Sequence, residues 1–510
     1  MTLRRRHFVA GLGAATLGAT LGRRSARAAL FGDVPDAAMG VVLPPAERAQ
    51  SLLEVFLYGG LSPWETFYAV EGYGRPDDPD EALRNTQLYA FHNPDNDLLA
   101  KALGACGSAP PLFSPYATDS LGATVCLGPF AAALLARPDV LARMRVVVTR
   151  HDLQPHEAAI PLALTGKRLG SPIAAALGTH VQRWAQAHGD PARAAPYSYS
   201  LATDFFPTDN VRATIATGAH PGSARPLLIK VDHASRLASL LGREGLDDAV
   251  QRLDHDALVE AYGAKYGAAL RWPGQPTPVR APSFQEAIFG NRAVANAAAV
   301  RAVLDPSLFV GITSALCGDQ NLNTPAMSLR LAAHLLTHDK APAAHVTFVD
   351  GGLIAADTGG GYDGHVEHCH TQSRNLRNTL ETLLSLINLP GEKSANKIDL
   401  DRTMVVLNTE FGRAPGIQGQ QGRNHWPYGY VQVYFGGPIT PARKGVFGAI
   451  GPDARATEST TPAEHRIACL LAMGIWPFGS EAFGVSDVPG ATNEVDAARK
   501  AAARVLGYSS

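Results

Sequence analysis

Five short apolar runs, each bounded by turn residues, constrain this chain most: residues 52–58, 145–149, 345–349, 403–407 and 430–435. They are near-continuously apolar rather than alternating, which is the pattern of strands covered on both faces, as in a parallel sheet. Between them lie helical patterns, the clearest being the stripe Leu376, Leu380, Leu383 and Ile387. Strand, loop and helix in alternation predict an α/β fold with helices packed on both faces of a mostly parallel sheet. With 46% hydrophobic residues the chain can fill a large core. Residues 29–510 read as one α/β domain, with a helical insertion over about 170–340 broken by the proline-rich stretch from Trp272.

In such a sheet, sites form where loops leave the carboxyl ends of the strands. Polar motifs sit where that rule expects them. Gly59, Gly60, Ser62, Glu65 and Thr66 follow the first run, and His151 and His156 follow the second. Asp363, His365, Glu367, His368 and His370 come after the third, directly beyond Gly359, Gly360 and Gly361. Glu410 and Arg413 follow the fourth, and Arg423 and His425 precede the fifth. Imidazoles and carboxylates at this density are the usual ligands of zinc, iron, copper and manganese, and a glycine run lets neighbouring side chains converge.

The N-terminus carries Arg4, Arg5, Arg6, His7 and Phe8, then a weakly apolar stretch and the small-residue segment Ala26, Arg27, Ala28. This resembles a twin-arginine export signal cleaved after Ala28, and the apolar stretch is too short to span a bilayer. Removing residues 1–28 takes away six arginines and no acids, so 39 basic residues face 46 acidic ones, a formal charge of −7. That excludes nucleic acid as the expected partner. The remaining chain has no apolar run long enough for a membrane span, so the expected location is the periplasm, the exterior or the cell surface, with the twin-arginine translocase as partner during export. Five cysteines in an oxidising compartment allow at most two disulfides.

The ordered motifs Gly59-Gly60 to Thr66, His151 to His156, Leu164-Thr165-Gly166, Asp363 to His365, Glu410 to Arg413 and Gly422 to Trp426 together resemble a known group. They are similar to the exported, sulfatase-like proteins catalogued as a domain of unknown function, distant relatives of alkaline phosphatases and sulfatases. The resemblance covers about residues 52–435 and implies an alkaline-phosphatase-like α/β sandwich. It also implies divalent metal, whether Zn, Mn, Ca or Fe, held by Glu65, Asp363, His365, Glu410 and His425, with His368 as a further partner because the superfamily spacing after the aspartate is longer. Two departures stand out. Phe411 replaces a histidine usual in the relatives, and counting back nine from Thr165 lands on His156 where sulfatases carry the residue converted to formylglycine.

These expectations lead to hydrolysis of a phosphate or sulfate ester, on a small molecule or a glycan, without formylglycine. A divalent ion would neutralise charge on the ester oxygens and lower the pKa of bound water towards ~7. His156, His151 and Thr66 are the expected catalytic groups, and Arg413 and Arg423 an expected cradle for the anion. A non-catalytic relative that binds glycans or proteins is the second expectation. His368, Cys369 and His370 also bring copper oxidases to mind, but Arg374 stands where that motif needs a further histidine.

Overall fold

Val, Leu, Met and Phe fill the expected strands, and strands form at all five. The structure, a computed structural model, describes residues 30–93, 97–190, 193, 195–203, 220, 225–231, 261, 303, 322–353 and 361–509. In chain order the strands are β1 (Ser51–Leu57), β2 (Ser114–Thr118), β3 (Thr124–Leu127), β4 (Met144–Thr149), β5 (Ser198–Thr203) and β6 (Leu227–Val231). They continue with β7 (His345–Asp350), β8 (Thr403–Asn408), β9 (Gly412–Arg413), β10 (His425–Trp426), β11 (Tyr430–Gly436), β12 (Gly445–Phe447), β13 (Ala449–Ile450) and β14 (Ala456–Glu458). The longer helices are α1 (Leu98–Ala105), α2 (His156–Thr165), α3 (Leu177–His188), α4 (Thr324–Thr337), α5 (His368–Ser385), α6 (Pro462–Ala472) and α7 (Glu494–Ala501).

Eight strands form the central sheet in the order β12-β4-β11-β8-β1-β7-β5-β6. All neighbours pair in parallel except those of β11, which is antiparallel to both β4 and β8. Residues 430–435 were expected as another parallel strand, and the reversed direction is a correction with a consequence. The loop that precedes an antiparallel strand opens at the same sheet edge as the loops that follow its parallel neighbours. The segment holding Arg423 and His425 therefore arrives beside the segments that follow β1, β4 and β8.

Successive side chains of a strand point to opposite faces, and the core divides accordingly. Leu53, Val55 and Leu57 of β1, with Val405 and Leu407 of β8, pack under α4 and α5, where Leu329, Leu376, Leu380 and Leu383 are buried. Leu52 of β1, with Val147, Met404 and Val406, packs under α3, α6 and α7 through Leu177, Val181, Ile467, Leu470 and Ala498. The predicted leucine stripe thus lies on α5, whose side chains Leu376, Leu380 and Leu383 face the sheet. Ile387, just beyond the helix end, is buried with them.

Between residues 170 and 340 the described segments include β5 and β6 as well as α3 and α4, so this part of the chain contributes strands to the central sheet and not helices alone. Ser198, Tyr199, Ser200 and Thr203 make β5 too polar to read as a buried run. The expected export signal, Gly359 and Gly360, and the proline-rich stretch from Trp272 lie outside the described residues. Among the described residues no helix is long and apolar enough to cross a membrane.

One ion pair ties α6 to the sheet. Arg466 Nη1 donates to Glu54 Oε1 in the middle of β1, both side chains being buried, and Asn408 of β8 donates to the same oxygen at 2.9 Å. Removing one partner of a buried pair leaves an uncompensated charge. Arg466→Leu should therefore lower the unfolding free energy by about 3–5 kcal/mol, and Glu54→Leu added to it should recover much of the loss. Denaturant unfolding reads both, and a single variant as stable as the parent would show that this pair does not hold the helix.

Candidate metal centre

The loops at the carboxyl edge are stitched to one another before any of their side chains meet. Gln372 on α5 donates to the carbonyls of Gly60 and Tyr362 at 2.8 and 2.7 Å and accepts from Ser62 N at 3.1 Å. Backbone bonds join Tyr362 N to Tyr58 O, Arg423 N to Gly364 O, Glu367 N to Gln420 O and His368 N to Gln421 O. Two glycines permit this. Gly59 has φ +109°, and a Cβ on it would lie 2.2 Å from Asp363 N. A Cβ on Gly422 would lie 1.8 Å from the His365 carbonyl oxygen. Larger residues at either position would push the Asp363 to His365 segment away.

Among the described residues one group of side chains could hold a metal ion: His156, Asp363, His365 and His425, each offering one atom, all within 4.8 Å of one another. Asp363 Oδ1 is the hub, 3.2 Å from His365 Nε2, 3.5 Å from His156 Nε2 and 3.6 Å from His425 Nε2. Four donors placed tetrahedrally around a first-row ion at ~2.0–2.1 Å stand about 3.3 Å apart, so these separations fit. His156 begins α2 directly after Pro155, His425 begins β10, and Asp363 and His365 lie just before α5.

Hydrogen bonds on the far side of each ring fix what the near side offers. His156 Nδ1 donates to Glu410 Oε1 at 2.9 Å, His425 Nδ1 to the Gln154 carbonyl at 2.7 Å, and His365 Nδ1 to Gln418 Oε1 at 3.3 Å. With each Nδ1 carrying a proton, each ring in its neutral form presents an Nε2 lone pair to the same point. His156 Nε2 is buried and has no hydrogen-bond partner. The Nε2 atoms of His365 and His425 face each other at 2.8 Å. Two lone pairs at that distance repel unless a cation, whether a proton or a metal ion, sits with them. The donor set could hold a metal ion, and its outer hydrogen bonds are of the kind that orient metal-ligating imidazoles.

Charge around the group is strongly biased. Burial works against ionisation of Asp363, but His156, His425 and the Arg413 guanidinium hold its carboxyl far below the usual range. Burial likewise opposes protonation of His156, yet Asp363 and Glu410 raise it to about 9. Burial and Arg413 lower His365.

The other residues singled out in the sequence fall elsewhere. Glu410 accepts from Gly59 N at 2.8 Å and orients His156, so it stands behind the group rather than within it. His151 Nε2 donates to the Glu410 carbonyl at 2.6 Å while its Nδ1 accepts from Leu153 N, which pins the loop that carries His156. Glu65 and His368 belong to a separate buried cluster. Glu65 takes a hydrogen bond from Ser62 Oγ at 2.5 Å, pairs with Arg423 and lies 3.3 Å from His368 Nε2. Burial alone would raise Glu65, but Arg423 and His368 bring it down to about 2, and burial pulls His368 down to about 4. Thr66 is buried and donates to the Ser62 carbonyl. Of the six expected metal ligands, Asp363, His365 and His425 lie in the group, Glu410 stands behind it, and Glu65 and His368 meet elsewhere, because α5 starts at His368 and turns that ring away from His365.

Arg413 and Arg423 are fully buried, and this differs from a cradle open to an anion. Arg413 bonds Asp363, the Gly59 and Gly60 carbonyls and Arg423 O; Arg423 bonds Glu65 and the carbonyls of Gln87, Ala414 and Pro415. Gln154, Gln418 and Gln372 are positioning residues that sequence reasoning missed. A lone glutamine, whether in a loop as Gln154 and Gln418 are or on a helix as Gln372 is, or a backbone carbonyl acting as an acceptor, carries no signal in sequence. Cys126, Cys369 and Cys469 are free and buried, and Cys106 is disulfide-bonded.

A proton and a metal ion compete for His156 Nε2. Below about 9, the pKa of His156, loading must displace that proton, so apparent affinity should rise about tenfold per pH unit and level off above it. Zinc titration against a chromophoric chelator at several pH values reads the slope. A flat profile between pH 6 and 8 would remove His156 from the ligand set.

A search of curated proteins finds no match to this chain. Residues 49–472 match a family model described as a protein of unknown function, DUF1501, which spans β1, every loop of the candidate ligand group and all of α6. The chain belongs to this family of proteins of unknown function, DUF1501.

Proposed function

We propose that this protein is an exported, metal-dependent hydrolase of phosphate or sulfate esters. One observation carries the reading: three imidazoles, each with Nδ1 occupied, turn their Nε2 atoms to the Asp363 carboxylate within a 4.8 Å group. The donor set, nitrogen-rich with one carboxylate, favours zinc, iron or manganese over calcium, which prefers oxygen ligands. A divalent ion held there would supply Lewis acidity, neutralising charge that develops on ester oxygens.

The chain's own residues supply the rest. Asp363 brings one negative charge to the ligand group, and Arg413 fixes its rotamer from the buried side. Glu410 holds His156 by Nδ1, so that ring cannot rotate away when an ester arrives. His365, His425 and His156 remain 16–22% exposed at the side chain, leaving an approach for a substrate. Phe411 stacks on His425 with ring centres 4.4 Å apart and limits water on that side.

The resemblance of the motif order to the alkaline phosphatase and sulfatase superfamily supports the same class, and with it the sandwich fold of that group. The position where sulfatases carry formylglycine is His156, a member of the ligand group, so the chemistry proposed is hydrolysis without that cofactor. Arg4, Arg5 and Arg6 ahead of the apolar stretch support export by the twin-arginine route to the periplasm or cell surface.

The test uses the mature protein loaded with zinc, manganese, iron or calcium and assayed on aryl phosphate, phosphodiester and aryl sulfate. About one ion per chain is expected, with hydrolysis abolished by a chelator and reduced at least ~100-fold in Asp363→Ala. A protein that stays metal-free after loading, or hydrolysis that a chelator leaves intact, would overturn the reading. Retention of a glycan or protein ligand despite chelation, with no hydrolysis of any ester, would support a binding module in its place.

A further inference from the structure

Beside the metal-ligand group lies a groove of about 840 Å³, within the size range of sites that take substrates rather than single ions. Its wall includes Arg150, Lys167, Arg168 and Arg455 against only two carboxylates, Asp152 and Asp487. Both carboxylates are already matched, Asp152 by Arg168 and Asp487 by Lys167. Arg150 and Arg455 are therefore in excess, both exposed; Asp453 accepts from the backbone N–H of Arg455 at 3.1 Å, and among the described residues neither guanidinium is paired with a carboxylate. This is a local surplus of positive charge in a chain whose formal net charge is −1.

Arg455 is held in place by rings. Its guanidinium carbon lies 4.5 Å from the Tyr428 ring centre and 5.3 Å from that of Trp426. Trp426 is itself anchored by a 2.7 Å bond from Nε1 to the Ala454 carbonyl. An arginine stacked in this way keeps its donors free and directed, at little cost in side-chain entropy on binding. The groove also joins the ligand group by a short path. Tyr428 Oη accepts from Gln154 Nε2 at 3.0 Å, and the Gln154 carbonyl accepts from His425 Nδ1 at 2.7 Å. His151, another lining residue, bonds the backbone of Glu410.

We infer that this groove binds the acidic remainder of a polyanionic substrate, one carrying several sulfate or phosphate groups, with Arg150 and Arg455 as its recognition residues. The inference rests on the hydrolase reading for its link to catalysis, but the groove's binding can be measured without it. Arg413 and Arg423 cannot take this part because their guanidiniums are buried and committed. A substrate with one charged group would satisfy the metal centre alone and leave the groove's surplus unmet.

Binding of a dextran sulfate oligomer and of inorganic tripolyphosphate, with neutral dextran as control, is measured by calorimetry on chelator-treated protein at low and moderate salt. At least one polyanion should bind, more weakly at higher salt, and its affinity should fall at least tenfold in Arg150→Glu/Arg455→Glu. Arg150→Lys/Arg455→Lys should bind nearly as the parent does. Which probe binds tells sulfate from phosphate recognition. No binding of either probe, equal binding of neutral dextran, or undiminished binding by the Glu variant would overturn the inference. Unchanged hydrolysis of an aryl monoester by a Glu variant that has lost polyanion binding would support it. Polyanion binding without hydrolysis of any ester would sink the hydrolase reading and leave the groove standing.

Discussion

A single buried guanidinium organises the carboxyl edge of the sheet. Arg413 reaches the carbonyls of Gly59 and Gly60 behind β1, the carboxylate of Asp363 ahead of α5, and the carbonyl of Arg423 ahead of β11. Three segments distant in sequence are thereby fixed to one cation that has no access to solvent. Desolvating such a charge is costly, and the cost is offset only if every donor finds an oxygen in good geometry. That demand makes the arrangement all-or-none. Asp363 cannot shift without stranding Arg413, and the rings that point to Asp363 inherit its position.

A second buried cluster balances the first. Arg423 answers Glu65, with Ser62 and His368 completing the carboxylate's bonds and Phe91 packed against both the guanidinium and the imidazole. The two arginines flank the same hairpin, which pairs β9 with β10. One cluster is closed to solvent. The other leaves three imidazole nitrogens and a carboxylate oxygen facing one point, with part of each ring exposed. The two clusters differ in what they can do: an ion pair buried on both sides holds shape, whereas imidazole nitrogens and a carboxylate converging on one partly exposed point form a group that could hold a cation.

Much of this was legible in the chain. The five apolar runs became strands because Val, Leu and Phe in sequence can be buried only between two layers of helices, and the leucine stripe at 376–383 took its place on α5. Ser198 to Thr203 escaped notice because hydroxyl groups interrupt its apolar pattern, and β12 because three residues carry no periodicity. Asp363, His365, His425 and His156 were recognisable as residues with metal-binding chemistry. Their company was not: Glu65 and His368 carry the same chemistry and belong to a different cluster.

By itself the sequence determined the α/β class, the strands of its core and the residue types available for a site, since these follow from side-chain polarity and its spacing along the chain. Tertiary structure decided which of those residues meet. The reversal of β11 turns the Arg423 to His425 segment towards the ligand edge, and the start of α5 at His368 sends two histidines three residues apart to different clusters. Neither follows from local pattern, because strand direction and helix phase are set by long-range packing. The glutamines and backbone carbonyls that fix each imidazole ring belong to the same category, as their role exists only once the loops have closed on one another.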